Sequence, residues 1–258
     1  MIRKILVPVR GDGNGENVLA HAVLMARRYG AHIDVVHCRP RPEDLLPKGV
    51  PLPKFLRAQF AGQADTLADE EEGKLRRDFD RIMGDLTRRM GDAPDGEQPT
   101  AVWIEDRGKQ VDVIRRRGRL ADLIVVSKPD RDTSLGTNSL MAGIFHTGRP
   151  VLMCPPRAEP PRALGATVTL AWNGSLEATR AVSGTLDILL NAESVTVLTI
   201  EARNAHGAKA EDLQEYLAVR GIEARYENLP ADGGIAQALL HRSDAIGADL
   251  MIMGAYSE

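Results

Sequence analysis

The sequence predicts an α/β protein made of two copies of one doubly wound parallel-sheet unit. An apolar run that ends in glycine precedes a helical pattern twice, at 5–11 (ILVPVRG) and at 168–174 (VTLAWNG). A second duplicated segment occurs at 121–127 (ADLIVVS) and at 248–254 (ADLMIMG), so both ends of the unit are repeated. Strand-like and helix-like segments alternate between these landmarks, which implies right-handed crossovers and a parallel sheet in each copy.

The first copy begins with a continuously apolar strand, as expected where both faces of a parallel sheet are covered. Glycines at 11–15 turn the chain into a helix that ends at Gly30, and prolines between 40 and 53 keep a longer segment irregular. The charged helix that follows has one apolar stripe, which consists of Leu67, Leu75, Phe79, Ile82 and Leu86. The predicted elements after the first helix are strand 32–38, helix 64–90, strand 100–105, helix 111–117, strand 122–126, helix 139–146 and strand 150–154.

The second copy repeats this order more economically and lacks the last helix and strand of the unit. Its predicted elements are strand 167–172, helix 176–190, strand 194–200, helix 210–219, strand 222–226, helix 235–246 and strand 249–253. Prolines stiffen the segment between the copies, which has no apolar periodicity. We therefore predict domain 1 at 1–156, a proline-rich linker at 157–165 and domain 2 at 166–258.

Composition indicates two ordinary globular domains. With 258 residues, of which 43% are hydrophobic and 27% charged, the chain is able to bury two cores. A net charge of -3 gives no general attraction to nucleic acid or to anionic membranes. No apolar stretch is long enough to span a bilayer, the start has no signal-peptide pattern, and two cysteines make no disulfide framework. The sequence therefore predicts a reduced, cytoplasmic protein without nucleic-acid or membrane partners.

The glycine-rich turn at 11–15 raises the question of nucleotide binding, because such turns often hold phosphate on backbone N–H groups. The dinucleotide fingerprint nevertheless fails, since Glu16 stands where its third glycine belongs. The second strand ends in Cys38 and Arg39, without the acidic residue that would bind a ribose. We interpret the segment as a flexible turn and helix cap.

The second copy carries the residues that indicate a known family. It opens with 172–175 (WNGS) and closes with 247–256 (GADLMIMGAY). In these segments, and in the duplication of its α/β unit, the chain resembles the tandem universal stress proteins. The resemblance implies a five-stranded, adenine-nucleotide alpha-hydrolase-like sheet in the order 3-2-1-4-5, and a dimer formed by self-association through strand-five surfaces. It also implies that ATP-binding members have an aspartate after strand one and a loop G-x2-G-x9-G-[ST] after strand four.

Applied to domain 1, the resemblance predicts that no nucleotide binds there. Arg10 stands at the position of the aspartate and cannot accept a hydrogen bond from adenine. The loop begins with Ser127 in place of glycine and continues through Pro129, which has no amide N–H. Two aspartates in the same loop, Asp130 and Asp132, would repel phosphate.

Applied to domain 2, the resemblance predicts weak ATP binding at most. Asn173 stands at the position of the aspartate and can accept a hydrogen bond through its side-chain carbonyl. Gly254 supplies the first glycine of the loop, but Ser257 stands at the second glycine position and most of the triphosphate cradle is missing. The predicted ligand-binding residues are Asn173, Gly174, Ser175, Ile200 through its backbone, and Gly254.

Other candidate chemistry is sparse. The six histidines and two cysteines show no metal-site spacing and no marked nucleophile, so the sequence predicts neither a metal site nor a catalytic residue. His37 and Cys38 are neighbours on a predicted strand and point to opposite faces. The acidic run at 69–72 is interpreted as the solvated start of a helix rather than as a cation site.

Three functions remain open on the sequence alone. The preferred one is a non-catalytic stress-response or signalling module with weak adenine-nucleotide binding in domain 2. The second is a pure protein-interaction module without nucleotide, whose unidentified protein partners would use inter-domain surfaces and the proline-rich insertion at 39–63. The third is a nucleotide-hydrolysing enzyme, which would need a general base or a metal-binding carboxylate beside the phosphates.

Overall fold

The chain forms two compact units, Met1–Pro160 and Pro161–Glu258, which are called domain 1 and domain 2 below. The computed structural model describes residues 1–9, 15–39, 41, 69–70, 72–86, 98–156, 161–200, 207–230 and 234–255. Throughout these residues, every helix is too short or too polar to cross a membrane.

Domain 1 contains a five-stranded parallel sheet in the order β3-β2-β1-β4-β5. Its strands are β1 (Lys4–Val9), β2 (His32–Arg39), β3 (Thr100–Arg107), β4 (Leu123–Ser127) and β5 (Val151–Cys154). Its helices are α1 (Gly15–Tyr29), α2 (72–83), α3 (Gln110–Gly118) and α4 (Thr137–His146), and a 3-10 turn at Gly84–Leu86 follows α2.

Domain 2 contains a four-stranded parallel sheet in the order β8-β7-β6-β9, which repeats the first four positions of the domain 1 sheet. Its strands are β6 (Thr167–Ala171), β7 (Ser194–Ile200), β8 (Ala224–Leu229) and β9 (Leu250–Ile252). Its helices are α5 (Leu176–Gly184), α6 (Leu186–Leu190), α7 (Ala210–Ala218) and α8 (Ile235–Ala245). The predicted fold class is therefore confirmed: two parallel α/β sheets, the second without a fifth strand in its described residues.

The central strand β1 is covered on both faces, as its continuous apolar run predicts. Consecutive residues Ile5, Leu6 and Val7 are each at most 1% exposed, although neighbouring side chains on a strand point to opposite faces. The predicted stripe of α1 is also confirmed, because Leu19, Ala22, Val23 and Ala26 are all buried.

The buried face of α2 is rotated relative to the predicted stripe. Leu75, Phe79 and Leu86 are buried as predicted, but Met83 takes the place of Ile82 in the core. At about 100° per residue, position 83 projects about 40° to one side of position 79 and position 82 about 60° to the other side. The buried face of α2 is therefore turned towards position 83, and Phe79 on this face makes an edge contact with Trp103 on β3. Leu67 lies outside the described residues.

The predicted helix at 176–190 is wrong as a single element, because the structure has two helices there. The hydroxyl of Thr185 donates to the Ala181 carbonyl at 2.6 Å, and the φ angle of Thr185 is -120°, outside the helical region. The helical hydrogen bonds are therefore interrupted between α5 and α6.

The predicted strand at 222–226 lies too early in the chain. Ile222 ends the preceding helical segment instead, since its N–H donates to the Leu217 carbonyl at 3.1 Å. The turn passes through Gly221 with a φ angle of +74°, a conformation that favours glycine. The edge strand β8 then begins two residues later and continues to Leu229.

Asp122 connects the entrance of β1 to the entrance of β4 in domain 1. One of its carboxylate oxygens accepts from the backbone N–H groups of Arg3 and Lys4, both at 2.9 Å. Asp122 in turn donates its own N–H to the Lys4 carbonyl at 2.8 Å. The first and fourth strands are therefore joined in a fixed register at this end of the sheet.

Asp249 has the same position in domain 2. Its carboxylate accepts from the backbone N–H groups of Gly165, Ala166 and Thr167 at 2.7, 3.0 and 3.3 Å. The duplicated Ala-Asp-Leu segments thus correspond to a duplicated carboxylate contact, which satisfies donors that no strand partner reaches at the start of the sheet.

We expect D249N to destabilise domain 2 by roughly 1–3 kcal/mol, because the new amide NH2 would face backbone N–H donors. Each domain has one tryptophan, Trp103 in domain 1 and Trp172 in domain 2. In a W103F background, urea unfolding followed by Trp172 fluorescence should show a lower midpoint for D249N. The matched change D122N should leave that midpoint in place, and equal effects of both changes would contradict a role local to each domain.

Candidate functional site

The predicted ligand-binding residues lie at the carboxyl ends of three neighbouring strands in domain 2. Asn173, Gly174 and Ser175 follow β6, Ile200 ends β7 and Gly254 follows β9. Since β6 pairs with β7 on one side and with β9 on the other, these ends lie side by side. In open parallel α/β sheets, ligands bind at this edge, where the strand order changes direction.

The turn after β6 is held by its own side chains. Asn173 accepts the N–H of Ser175 on its side-chain oxygen at 3.1 Å, and Gly174 has a φ angle of +73°. The hydroxyl oxygen of Ser175 accepts the N–H of Ala178 at 3.2 Å and caps α5. The start of α5 is therefore fixed directly beside Asn173.

Gly254 packs against the same first turn of α5. A Cβ atom at this position would lie 2.7 Å from the Ala178 nitrogen and 2.8 Å from the Glu177 carbonyl carbon. These are backbone atoms, which do not move aside as a flexible side-chain tip does. Glycine thus allows the end of β9 to contact the first turn of α5, which is the turn that Ser175 caps.

Ile200 ends β7 in register with Leu229 of β8 and is half-buried. The residues that follow Ile200 lie outside the described part of the chain, as do Arg10 and Ser257. The structure therefore places Ile200 at the same sheet edge as Asn173.

A further backbone contact at this edge had no signal in the sequence. A Cβ atom built on Gly174 would lie 2.7 Å from the Ala208 carbonyl oxygen, and one on Gly207 would overlap the Gly174 carbonyl oxygen. The indole N–H of Trp172 donates to the same Ala208 carbonyl at 3.1 Å. Two glycines thus let the segment before α7 lie directly on the turn, and Trp172, only 7% exposed, packs beneath it.

The corresponding edge of domain 1 has a loop between β4 and α4 that closes on itself. One Asp130 carboxylate oxygen accepts the N–H of Asp132 at 3.0 Å, and the N–H and hydroxyl of Thr133 at 2.7 and 2.8 Å. These bonds lower the pKa of Asp130, with the Thr133 backbone bond contributing most. The Asp130 carboxylate, an anion that the chain itself supplies, therefore binds backbone amides of this loop.

Little space remains beside this loop at the ends of β1 and β4. Gly136 has a φ angle of +86°, and a Cβ atom there would approach the Ser127 hydroxyl to 3.2 Å and the Pro129 Cα to 3.4 Å. A cavity of about 10 Å³ lies between the strand ends, lined by Pro8, Val9, Gly15, Val18, Val126, Ser127 and Ser139. That volume is close to the space of one water molecule.

The two sheets repeat one strand order, and the loops at their carboxyl edge differ between the two copies. The model of the universal stress protein family matches residues 1–137. The chain belongs to the universal stress protein family. No curated protein matches the sequence.

The chain is similar to several solved structures, one of which supports the fold. A universal stress protein from Archaeoglobus fulgidus matches 97% of this chain and 86% of its own chain at 15% identity, with a TM-score of 0.65. UspA from Lactobacillus plantarum matches 59% of this chain and 97% of its own at 14% identity, with a TM-score of 0.43. A universal stress protein in complex with cAMP matches 59% of this chain and 96% of its own at 13% identity, with a TM-score of 0.33. The first of these similarities shows the fold of this chain and nothing finer.

We expect D130A to open the loop after β4, because it removes the acceptor for two backbone N–H groups. Amide hydrogen exchange at positions 132 and 133 should accelerate by roughly tenfold or more. D132A, which changes a neighbouring exposed carboxylate in the same loop, is the control and should leave the exchange at 133 unchanged. Equal exchange in wild type and D130A would contradict the anchoring role of Asp130.

Proposed function

We propose that this universal stress protein is a non-catalytic stress-response or signalling module of the cytoplasm, with weak adenine-nucleotide binding confined to domain 2. The observation that carries the proposal is the difference between the two strand-edge loops. In domain 1 the Asp130 carboxylate takes loop amides, whereas in domain 2 Gly254 meets the start of α5 without an intervening side chain.

Anion binding at this position has a physical basis in domain 2. A helix start presents backbone N–H groups and the positive end of the helix dipole, which together favour phosphate. Asn173 lies at the position where the family resemblance implies an adenine-binding aspartate, and its side-chain oxygen is already directed into the turn by Ser175. Because the resemblance supplies only the first glycine of the phosphate loop, we expect the affinity to be low.

A non-catalytic role is supported by the side chains at this edge. Among the described residues after β6, β7 and β9, the polar side chains nearest the α5 start are Asn173, Ser175 and Glu177. Asn173 and Ser175 serve as hydrogen-bond acceptors within the turn, and Glu177 is half-buried. Cys154 is buried, and burial raises the pKa of its thiol to about 12, which disfavours the thiolate a nucleophile needs.

The nucleotide proposal is tested by calorimetric titration of the full chain with ATP at millimolar concentration. N173D is nearly isosteric and keeps the acceptor for the Ser175 N–H, so it should preserve the turn while adding the charge of the family aspartate. We expect weak binding by wild type, roughly tenfold tighter binding by N173D and loss of binding by N173A. D130A in domain 1 should leave the affinity unchanged.

Two outcomes would contradict parts of this proposal. If neither wild type nor N173D binds ATP at millimolar concentration, the nucleotide claim fails and the interaction function remains. ATP turnover above that of buffer would instead favour the enzyme alternative.

The pure interaction function has one specific observation in its favour. The backbone of Gly207 and Ala208 already lies on the turn at Gly174, so the chain itself occupies one side of the candidate nucleotide site. In this alternative, the protein acts through its surfaces, including self-association through β5 at the edge of the domain 1 sheet. Met153 on that strand is 44% exposed and offers an apolar contact.

We expect M153K to weaken self-association, because it places a charge on the edge strand that pairs only with β4 in the described sheet. Sedimentation velocity should show a shift of wild-type dimer towards monomer in M153K. L120K is the control, since Leu120 is 77% exposed but lies after α3, away from β5 in sequence. A dimer fraction that L120K reduces as much as M153K would contradict an interface at β5.

A further inference from the structure

Three side chains with metal-binding atoms meet near the carboxyl ends of β2 and β3 in domain 1. His37 lies on β2, Glu105 lies directly opposite on β3, and Glu72 comes from α2. One ligand atom from each residue lies within 4.8 Å of the other two, and the His37 Nδ1 atom is 3.9 Å from a Glu72 carboxylate oxygen. Elements that are far apart along the chain thus converge on one small volume.

Glu72 belongs to the buried face of α2. At about 100° per residue, it projects in nearly the same direction as Phe79, two turns further along the helix. Leu75, Phe79 and Met83 on this face are buried. The Glu72 side chain is only 26% exposed, so the helix brings a carboxylate towards the sheet where the spacing would otherwise place an apolar residue.

The imidazole of His37 is held in place by aromatic packing. Its side chain is 3% exposed, and its ring stacks on Trp103 with centroids 5.9 Å apart and an interplanar angle of 21°. Trp103 is held in turn by the edge contact with Phe79, at 5.5 Å between centroids. A ligand whose rotamer is already fixed loses little conformational freedom when it binds a metal.

We propose that His37, Glu72 and Glu105 bind a divalent transition-metal ion such as Zn²⁺. One imidazole and two carboxylates form a ligand set suited to Zn²⁺ or Co²⁺, whereas Mg²⁺ and Ca²⁺ prefer oxygen ligands throughout. The two glutamates have long side chains, which can close the remaining distance to metal–ligand lengths of about 2.0–2.2 Å. The ion would connect α2 to the β2–β3 edge.

The local charges favour a cation at this position. The ligand atoms of Glu72 and Glu105 lie within 4.8 Å of each other, so the two carboxylates repel each other and both would attract a cation. Arg39 offsets part of this charge, but it lies closer to Asp69, at 2.7 Å, than to Glu72, at 3.5 Å. The second nearby guanidinium, Arg76, lies over the Phe79 and Trp103 rings and also pairs with Asp80.

Domain 2 provides an internal comparison. Lys4 pairs with His32 in the first sheet and Thr167 pairs with Ser194 in the second, so His37 and Thr199 occupy equivalent positions. Their neighbours are equivalent as well, since Thr199 pairs with Asn228 as His37 pairs with Glu105.

The equivalent pair in domain 2 is satisfied without an ion. The Thr199 hydroxyl donates to the Asn228 side-chain oxygen at 3.2 Å. A neutral hydrogen bond thus stands where domain 1 has an imidazole and a carboxylate. The metal site is therefore a property of domain 1, in which α2 supplies the third ligand.

The test uses the full chain, stripped of metal and free of any histidine tag, titrated with Zn²⁺ by calorimetry and with Co²⁺ by visible absorption. We expect one equivalent to bind, and we expect E72Q and E105Q each to weaken binding by roughly 10- to 100-fold. Both changes are isosteric, so circular dichroism should show an unchanged fold. E70Q, on the same helical segment and exposed, is the matched control and should bind as wild type does.

A second measurement reports on the position of the ion. Zn²⁺ should slow amide exchange in residues 72–83 of wild type and should have no such effect in the E72Q E105Q double variant. The proposal is overturned if Zn²⁺ fails to bind at millimolar concentration, if E72Q and E105Q bind as tightly as E70Q, or if Mg²⁺ displaces Zn²⁺ at equal concentration.

Discussion

The carboxylate contact between the first and fourth strands is the constraint on which both domains depend. β1 and β4 are neighbours in space but are separated by three crossovers in the chain, so nothing local fixes their register. Asp122 and Asp249 do so by accepting the backbone N–H groups that enter β1 and β6. Because the contact sits at the amino ends of the strands, it determines which residues stand opposite each other at the carboxyl ends, where the loops that bind ligands emerge.

On this shared frame, the two copies have different loops. In domain 1, the Asp130 carboxylate accepts hydrogen bonds from the backbone amides after β4. The cavity at the ends of β1 and β4 has about the size of one water molecule. Domain 2 keeps a glycine at the equivalent point and presses its strand end against a helix start. The same fold therefore gives one edge that is closed by intramolecular hydrogen bonds and one at which a glycine packs against a helix start.

Sequence patterns predicted the parts of the fold that depend on burial. β1 and β4 were predictable because both faces of these strands are covered, which requires uninterrupted apolar residues. The edge strand β8 was misplaced because none of its residues is fully buried, so it has no continuous apolar run. The prediction began instead at the apolar Ile222, which ends the preceding helical segment. On α2, Ile82 and Met83 are both apolar, so the sequence pattern does not show which of them is buried, and the structure buries Met83 on the side of Phe79 that contacts Trp103.

The sites were harder to predict because they are made of distant segments. The role of Ser175 was predictable, since a helix cap depends on local sequence. The contact between Gly174 and Gly207 was not, because two glycines give no sign of which backbone each will meet.

The grouping of His37 with Glu72 and Glu105 shows the same limit for charged residues. Glu72 ends an acidic run that is typical of a solvated helix start, and a one-dimensional pattern gives no reason to separate it from its neighbours. The rotation of α2 separates them, because the turn that buries Met83 also directs Glu72 towards the sheet. One orientation of the helix against β3 therefore determines both which apolar residue enters the core and which carboxylate meets the histidine.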